Sequence, residues 1–212
     1  MDSGHGHHAH HHHHGHDRHG AKQPERFDPA RAALLDDPKR LEYMPPAKIF
    51  ELLDAPSGGI VVDFGTGTGT FAIPLAENRP DLTIVALDEQ PEMLKMLRAK
   101  PEAAKLPNLK PVLNEEARPY AGKVDRVLAI NVLHELGDDA MKEIAALLKP
   151  DGAILFVDWN SDVERPVGPP RDHTYGVAEA IRRVESFGFR AETLAPLPYH
   201  YVIRAKRAWT AR

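Results

Sequence analysis

The feature that most constrains the fold is a short apolar run, Ile60-Val61-Val62, carried through Asp63-Phe64 into Gly65-Thr66-Gly67-Thr68-Gly69-Thr70. The run has the length and composition of a buried strand, and three glycines at alternate positions cut it off. Residues without a Cβ let the backbone turn tightly and approach a ligand closely. The chain beyond them reads as the start of a helix, so unpaired backbone N–H groups are expected to face whatever lies over the loop. A strand, a glycine loop and a helix in that order place the chain among α/β folds with a cofactor at the loop.

The spacing narrows the cofactor. A dinucleotide fingerprint is G-x-G-x-x-G and a phosphate cradle needs a Gly-Lys pair, but here the pattern is Asp63-x-Gly65-x-Gly67-x-Gly69 with no lysine following. An acid two residues before the first glycine favours a cationic ligand and repels a diphosphate. The next strand, Leu82 to Leu87, closes on Asp88-Glu89, and Pro91 opens a helix carrying Met93, Leu94, Met96 and Leu97. Asp88 lies 88 − 69 = 19 residues past the last glycine, where a strand-end carboxylate chelates ribose hydroxyls in a doubly wound sheet. Further strands are read at Leu109 to Leu113, ending in Asn114-Glu115-Glu116, at Val124 to Ile130, and at Ala153 to Trp159. The helix Asp138 to Leu148 lies before the last of these and stops at Lys149-Pro150-Asp151-Gly152.

The glycine motif resembles motif I of the class I S-adenosylmethionine (SAM)-dependent methyltransferases, whose cofactor carries an ammonium and a sulfonium but no phosphate. Asn131-Val132-Leu133-His134-Glu135-Leu136 resembles the N-x-L-H-x-L segment of small-molecule enzymes of the ubiquinone/menaquinone, type 11-like branch, and Leu147 to Val157 their L-K-P-x-G signature. The resemblance runs from Ile60 to about Lys206 and includes a Gly-Pro-Pro loop and a terminal Tyr-His-Tyr strand. It implies a doubly wound, Rossmann-like seven-stranded sheet whose last strand is antiparallel, with residues 58–212 as the SAM-binding domain; residues 21–57, outside the resemblance, read from their own helix signals as an N-terminal helical cap. It also implies that Asp63, Gly65, Gly67 and Gly69 hold the methionine moiety and Asp88 the ribose. Glu89, Asn114, Glu115 and Glu116 are then candidates for the adenine edge, and Asn131 joins the cofactor shell. The N/D-P-P-Y/F motif of nucleic-acid amino methyltransferases is missing after the fourth strand.

Composition excludes other chemistries. The chain has no cysteine, which removes disulfides, thiolate catalysis and thiolate metal sites. A formal charge of −4 gives no basic footprint for nucleic acid, and no apolar stretch reaches a membrane span, so a cytoplasmic enzyme without nucleic-acid or membrane partners is expected. Residues 1–20 hold ten of the thirteen histidines and almost nothing apolar, so a disordered His-rich tail is expected there. The tail reads equally as a purification tag or a native segment, and its imidazoles suit a divalent metal; no metal is expected in the catalytic site. In the cap, Asp28-Pro29 starts a helix over Ala30 to Leu35 and a second begins near Pro45-Pro46, with Leu41 to Met44 between them.

Methyl transfer from SAM to a small acceptor is the function these readings favour, with S-adenosylhomocysteine as product. The alternative is a SAM-binding or metal-handling protein without transfer activity. His134 and His173 both fall in loops past strand ends and are the candidates for a base. The acceptor is expected between the Asn131–Glu135 segment and the loop Pro166 to His173, closed over by Tyr43 and Met44. By strand alternation, Tyr199 and Tyr201 share one face and His200 takes the other.

Overall fold

The computed structural model describes residues 27–208. The His-rich segment 1–20 lies outside the described residues. Seven strands form one sheet: β1 (Ile60–Phe64), β2 (Thr83–Asp88), β3 (Leu109–Leu113), β4 (Val124–Ile130), β5 (Leu148–Trp159), β6 (Phe189–Thr193) and β7 (His200–Arg207). The helices are α1 (Lys39–Tyr43), α2 (Pro46–Leu53), α3 (Ala72–Asn78), α4 (Pro91–Ala99), α5 (Asp138–Leu147) and α6 (Val177–Glu185). The strand order is β3-β2-β1-β4-β5-β7-β6. β1 to β5 pair in parallel, and β7 alone runs against its neighbours β5 and β6.

Alternation along the strands sends side chains to two cores. Val62, Phe64 and Phe156 pack with Met141, Ile144 and Val184 of α5 and α6. Val61, Ile84 and Val157 pack on the other face with α3 and with Met44, Ile49 and Leu53 of the N-terminal segment. A sheet covered on both faces explains why β1, β2 and β4 read as continuous apolar runs. The chain reverses its direction of growth between β1 and β4, which opens a crevice at the carboxyl ends of those two strands.

The N-terminal segment departs from the expectation. Pro29–Leu34 is a 3₁₀ helix, capped as read by the Asp28 carboxylate, which accepts from the Ala30 N–H at 2.9 Å. Only Ala32 of that stretch is buried, so no apolar stripe favours the α form. The connection after it contains α1, five residues long and too short to display a helical period. β5 starts at Leu148, paired with Val124 through an irregular register, and not at Ala153. No helix among the described residues is long and apolar enough to cross a membrane.

Candidate active site

Strand register brings the predicted motifs together. Phe64 pairs with Leu87 and Asp63 with Leu128, so the glycine loop, Asp88 and the end of β4 adjoin. Gly65, Gly67 and Gly69 all have positive φ, at 73°, 57° and 82°. A Cβ on Gly65 would lie 2.7 Å from the Val132 side chain, and one on Gly67 3.0 Å from Leu35. Conformation and space therefore both select glycine at these two positions.

The loop's N–H groups are not left open as expected. Those of Gly65 and Thr66 both donate to the Leu87 carbonyl at 2.9 Å, and that of Gly69 to Thr66 at 3.0 Å. The Gly67 N–H donates to Asp88 Oδ2 at 2.8 Å. A loop that uses its donors internally makes no phosphate cradle; its polarity comes from carboxylates. Asp63 is buried and, among the described residues, its side chain accepts only from the Thr66 hydroxyl, at 2.7 Å. Burial and the neighbouring Asp88 charge outweigh that bond and push its carboxyl up to about 7. Asp88 is raised as well, chiefly by burial, against the bonds from Gln90 and Gly67. Asp88 accepts backbone N–H groups from Gly67, from Gln90 (2.9 Å) and from Glu89, which leaves lone pairs on its two oxygens for hydroxyl donors. Among the described residues neither carboxylate has a lysine or arginine partner, so the floor of the crevice is electronegative.

The segment before α1 sits on this loop. Asp36 Oδ1 accepts from Thr68 at 2.9 Å, Thr70 at 3.0 Å and Lys100 at 2.7 Å, while the Leu35 carbonyl takes the Thr70 hydroxyl at 3.0 Å. Asp36 is held below its usual range: burial opposes the shift, and the bonds from Lys100, Thr68 and Thr70 overcome it.

On the β4 side, Asn131 adopts a left-handed φ of 56° and its N–H donates to the Val157 carbonyl at 2.8 Å. Its amide nitrogen faces Met44 Sδ at 3.7 Å, and its buried Oδ1 has no partner. His134, in a 3₁₀ turn after β4, meets Asp158 of β5 twice. Its backbone N–H donates to Oδ2 at 3.0 Å, and Nδ1 donates to Oδ1 at 2.8 Å, since a carboxylate only accepts. Nε2 lies 3.4 Å from Glu135. Burial disfavours the imidazolium, but the charges and bonds of Asp158 and Glu135 prevail and raise His134 to about 10. Beside this dyad lies a ring cluster. His200 and Trp159 are 4.1 Å apart between centroids, and Tyr43 contacts His200 at 5.9 Å, Trp159 at 5.9 Å and Tyr199 at 5.4 Å.

The predicted residues therefore divide. Asp63, the three glycines, Asp88, Asn131 and His134 border one crevice. Asn114 follows Leu113, the partner of Asp88, and keeps a buried Oδ1 without a partner. Glu89, Glu115 and Glu116 at the same end of the sheet are exposed. His173 does not join: its ring is exposed and has no hydrogen bond or ion pair among the described residues. Asp36 and Asp158 carry no sequence signal of their own beyond an acid near a cap and an acid closing an apolar strand before Trp159.

A family model described as a methyltransferase domain matches residues 37–200. A SAM-dependent methyltransferase from Aquifex aeolicus superposes with a TM-score of 0.78 at 28% identity, covering 85% of this chain and 98% of that one. A tRNA (guanine-N(7)-)-methyltransferase of Lacticaseibacillus casei is 30% identical over 112 residues, and the release factor glutamine methyltransferase of Escherichia coli 24% over 105. Each match takes in 46% of this chain; the matched stretch spans 52% of the tRNA enzyme and 38% of the release factor enzyme.

Proposed function

The chain belongs to the methyltransferase-domain family, and from that premise we propose that it transfers a methyl group from SAM to a small organic acceptor. The observation that carries the reading is the asymmetry of the crevice. On one side two buried carboxylates without cationic partners suit a ligand bearing an ammonium and hydroxyls. On the other, an oriented histidine and a group of rings suit an acceptor. Asp63 takes the ammonium of the methionine moiety beside Gly65, Gly67 and Gly69, and Asp88 takes the ribose. Glu89, Asn114, Glu115 and Glu116 remain the candidates for the adenine edge.

Transfer is an in-line displacement. A lone pair of the acceptor forms a bond to the methyl carbon while the carbon–sulfur bond breaks and its electrons stay on sulfur, giving neutral S-adenosylhomocysteine. The leaving group needs no acid, so positioning supplies most of the acceleration. With its pKa near 10, His134 is already protonated at neutral pH and is poorly suited to the role of base expected of it. Its imidazolium favours an acceptor that ionises beside it, the proton passing to solvent before transfer. The ring cluster offers apolar faces of limited area, with Arg165 packed on Trp159, which fits a small organic acceptor better than a polynucleotide.

Turnover of radiolabelled SAM over a metabolite panel tests the activity. His134→Ala is expected to lower turnover by at least ~10-fold while SAM affinity stays within a few-fold, since the lost contact is with the acceptor. Loss of SAM binding with normal turnover at saturating cofactor would move His134 into the cofactor shell. SAM binding without product over a broad panel would favour a binding protein.

A further inference from the structure

The ring cluster beside the dyad contains two polar groups that the protein leaves unsatisfied. His200 is 1% exposed, and neither ring nitrogen has a hydrogen-bond partner among the described residues. Asn131 Oδ1 is a second buried orphan. Buried polar atoms are nearly always paired, so two such groups in one place call for an explanation. Consecutive residues cover both. Tyr43 stacks on His200 with an interplanar angle of 10°, and Met44 places its sulfur against the Asn131 amide. The covering segment ends the five-residue α1 and runs into Pro45-Pro46. Tyr43 is only half-buried, and its hydroxyl makes no hydrogen bond among the described residues. Beside it, the His200 and Trp159 rings pack against each other with centroids 4.1 Å apart and planes tilted by 35°, and Trp159 is steadied by the Arg165 guanidinium at 5.0 Å and by close packing of Gly168.

Resting on the methyltransferase reading above, we propose that His200 is the specificity-determining residue of the acceptor subsite. It hydrogen-bonds the polar edge of a flat-ring acceptor that takes the place the Tyr43 phenol holds beside His200 and Trp159. A neutral imidazole offers one donor and one acceptor, so it serves a ring edge bearing a hydroxyl. Burial keeps His200 neutral, near a pKa of about 3. His200 pairs with Trp159, the residue after Asp158, so the ring lies at the same strand end as the dyad. Tyr43 then acts as a removable cover whose own phenol occupies the subsite.

The test uses the full chain saturated with S-adenosylhomocysteine, with phenol and cyclohexanol as probes of equal hydroxyl count and different flatness. Calorimetry is expected to show phenol binding about ten-fold more tightly than cyclohexanol, and His200→Leu losing about ten-fold for phenol, the scale of one buried hydrogen bond. Affinity for S-adenosylhomocysteine should be unchanged in that variant. Tyr43→Ala, a change at a half-buried position on the edge of the core, should tighten phenol a few-fold by removing the competitor. Equal binding of the two alcohols, or indifference of phenol to both substitutions, overturns the proposal. If His200→Leu does not fold, the Tyr43→Ala result decides alone, and absence of tightening overturns it. Wild-type protein that fails to bind S-adenosylhomocysteine defeats the methyltransferase reading itself. Normal cofactor binding with methyl transfer only to acceptors lacking a ring defeats the subsite alone.

Discussion

Replacing His200 by leucine should change how stability depends on acidity more than it changes stability at neutral pH. The folded-state pKa is depressed from 6.5 to about 3, with burial as the first cause. The unfolded chain therefore takes up a proton below pH 6.5 that the folded chain refuses, so stability falls as pH drops from 6.5 towards 3 and is unaffected above that window. Each pH unit in the window corresponds to about 1.4 kcal/mol, so two units, down to pH 4.5, cost about 2.7 kcal/mol. At 1% exposure, little solvent screening reduces this figure. Asp63, whose raised pKa works in the opposite direction, is common to both proteins and cancels in the comparison. At neutral pH leucine loses ring contacts to Trp159 and Tyr43 but also removes two unpartnered nitrogens, each costing about 1–3 kcal/mol, so the net change there should be small. Urea unfolding of both proteins at pH 7.5 and 4.5 gives the four free energies required. The wild type should lose about 2–3 kcal/mol more than the variant on acidification. Parallel losses would show that His200 is hydrated or paired in solution and would refute the reasoning.

Three further expectations concern the cofactor and the tail. SAM affinity should rise with pH through about 7 as Asp63 loses its proton, with proton release visible in calorimetry across buffers, and Asp63→Asn should abolish the dependence. Asp88→Ala should cost about 1.5–3 kcal/mol of SAM affinity for each charge-assisted hydrogen bond lost, whereas wild-type affinity in that variant would remove Asp88 from the site. Deleting residues 1–20 should abolish tight Ni²⁺ or Zn²⁺ binding and leave the melting temperature and SAM affinity unaltered, as circular dichroism and calorimetry would report.

The strands were legible because a sheet buried on both faces writes continuous apolar runs, and Val61-Val62, Ile84 to Leu87 and Val127 to Ile130 are such runs. The glycine loop was legible because positive φ at alternate residues has few sequence solutions. Its hydrogen bonding was not. Whether the Gly67 N–H meets a ligand or Asp88 depends on a carboxylate 21 residues away. Asp158 escaped for the same reason, since its partner His134 is 24 residues distant and the two meet only when β4 and β5 pair. His173 shows the converse: a histidine in a proline-rich loop past a strand looks like a site residue, yet its ring is exposed and meets no hydrogen-bond or ion-pair partner among the described residues. α1 is set by packing of Tyr43 and Met44, which no local propensity records.

One carboxylate, that of Asp36, collects donors from Thr68 and Thr70 of the glycine loop and from Lys100. A fastening made at a single oxygen cannot be undone in part: moving Asp36 breaks all three bonds in one event. The hold of the N-terminal segment on the glycine loop is therefore concentrated at one carboxylate, backed by the Leu35 carbonyl on Thr70, and a single change, Asp36→Ala, removes three of its polar contacts at once.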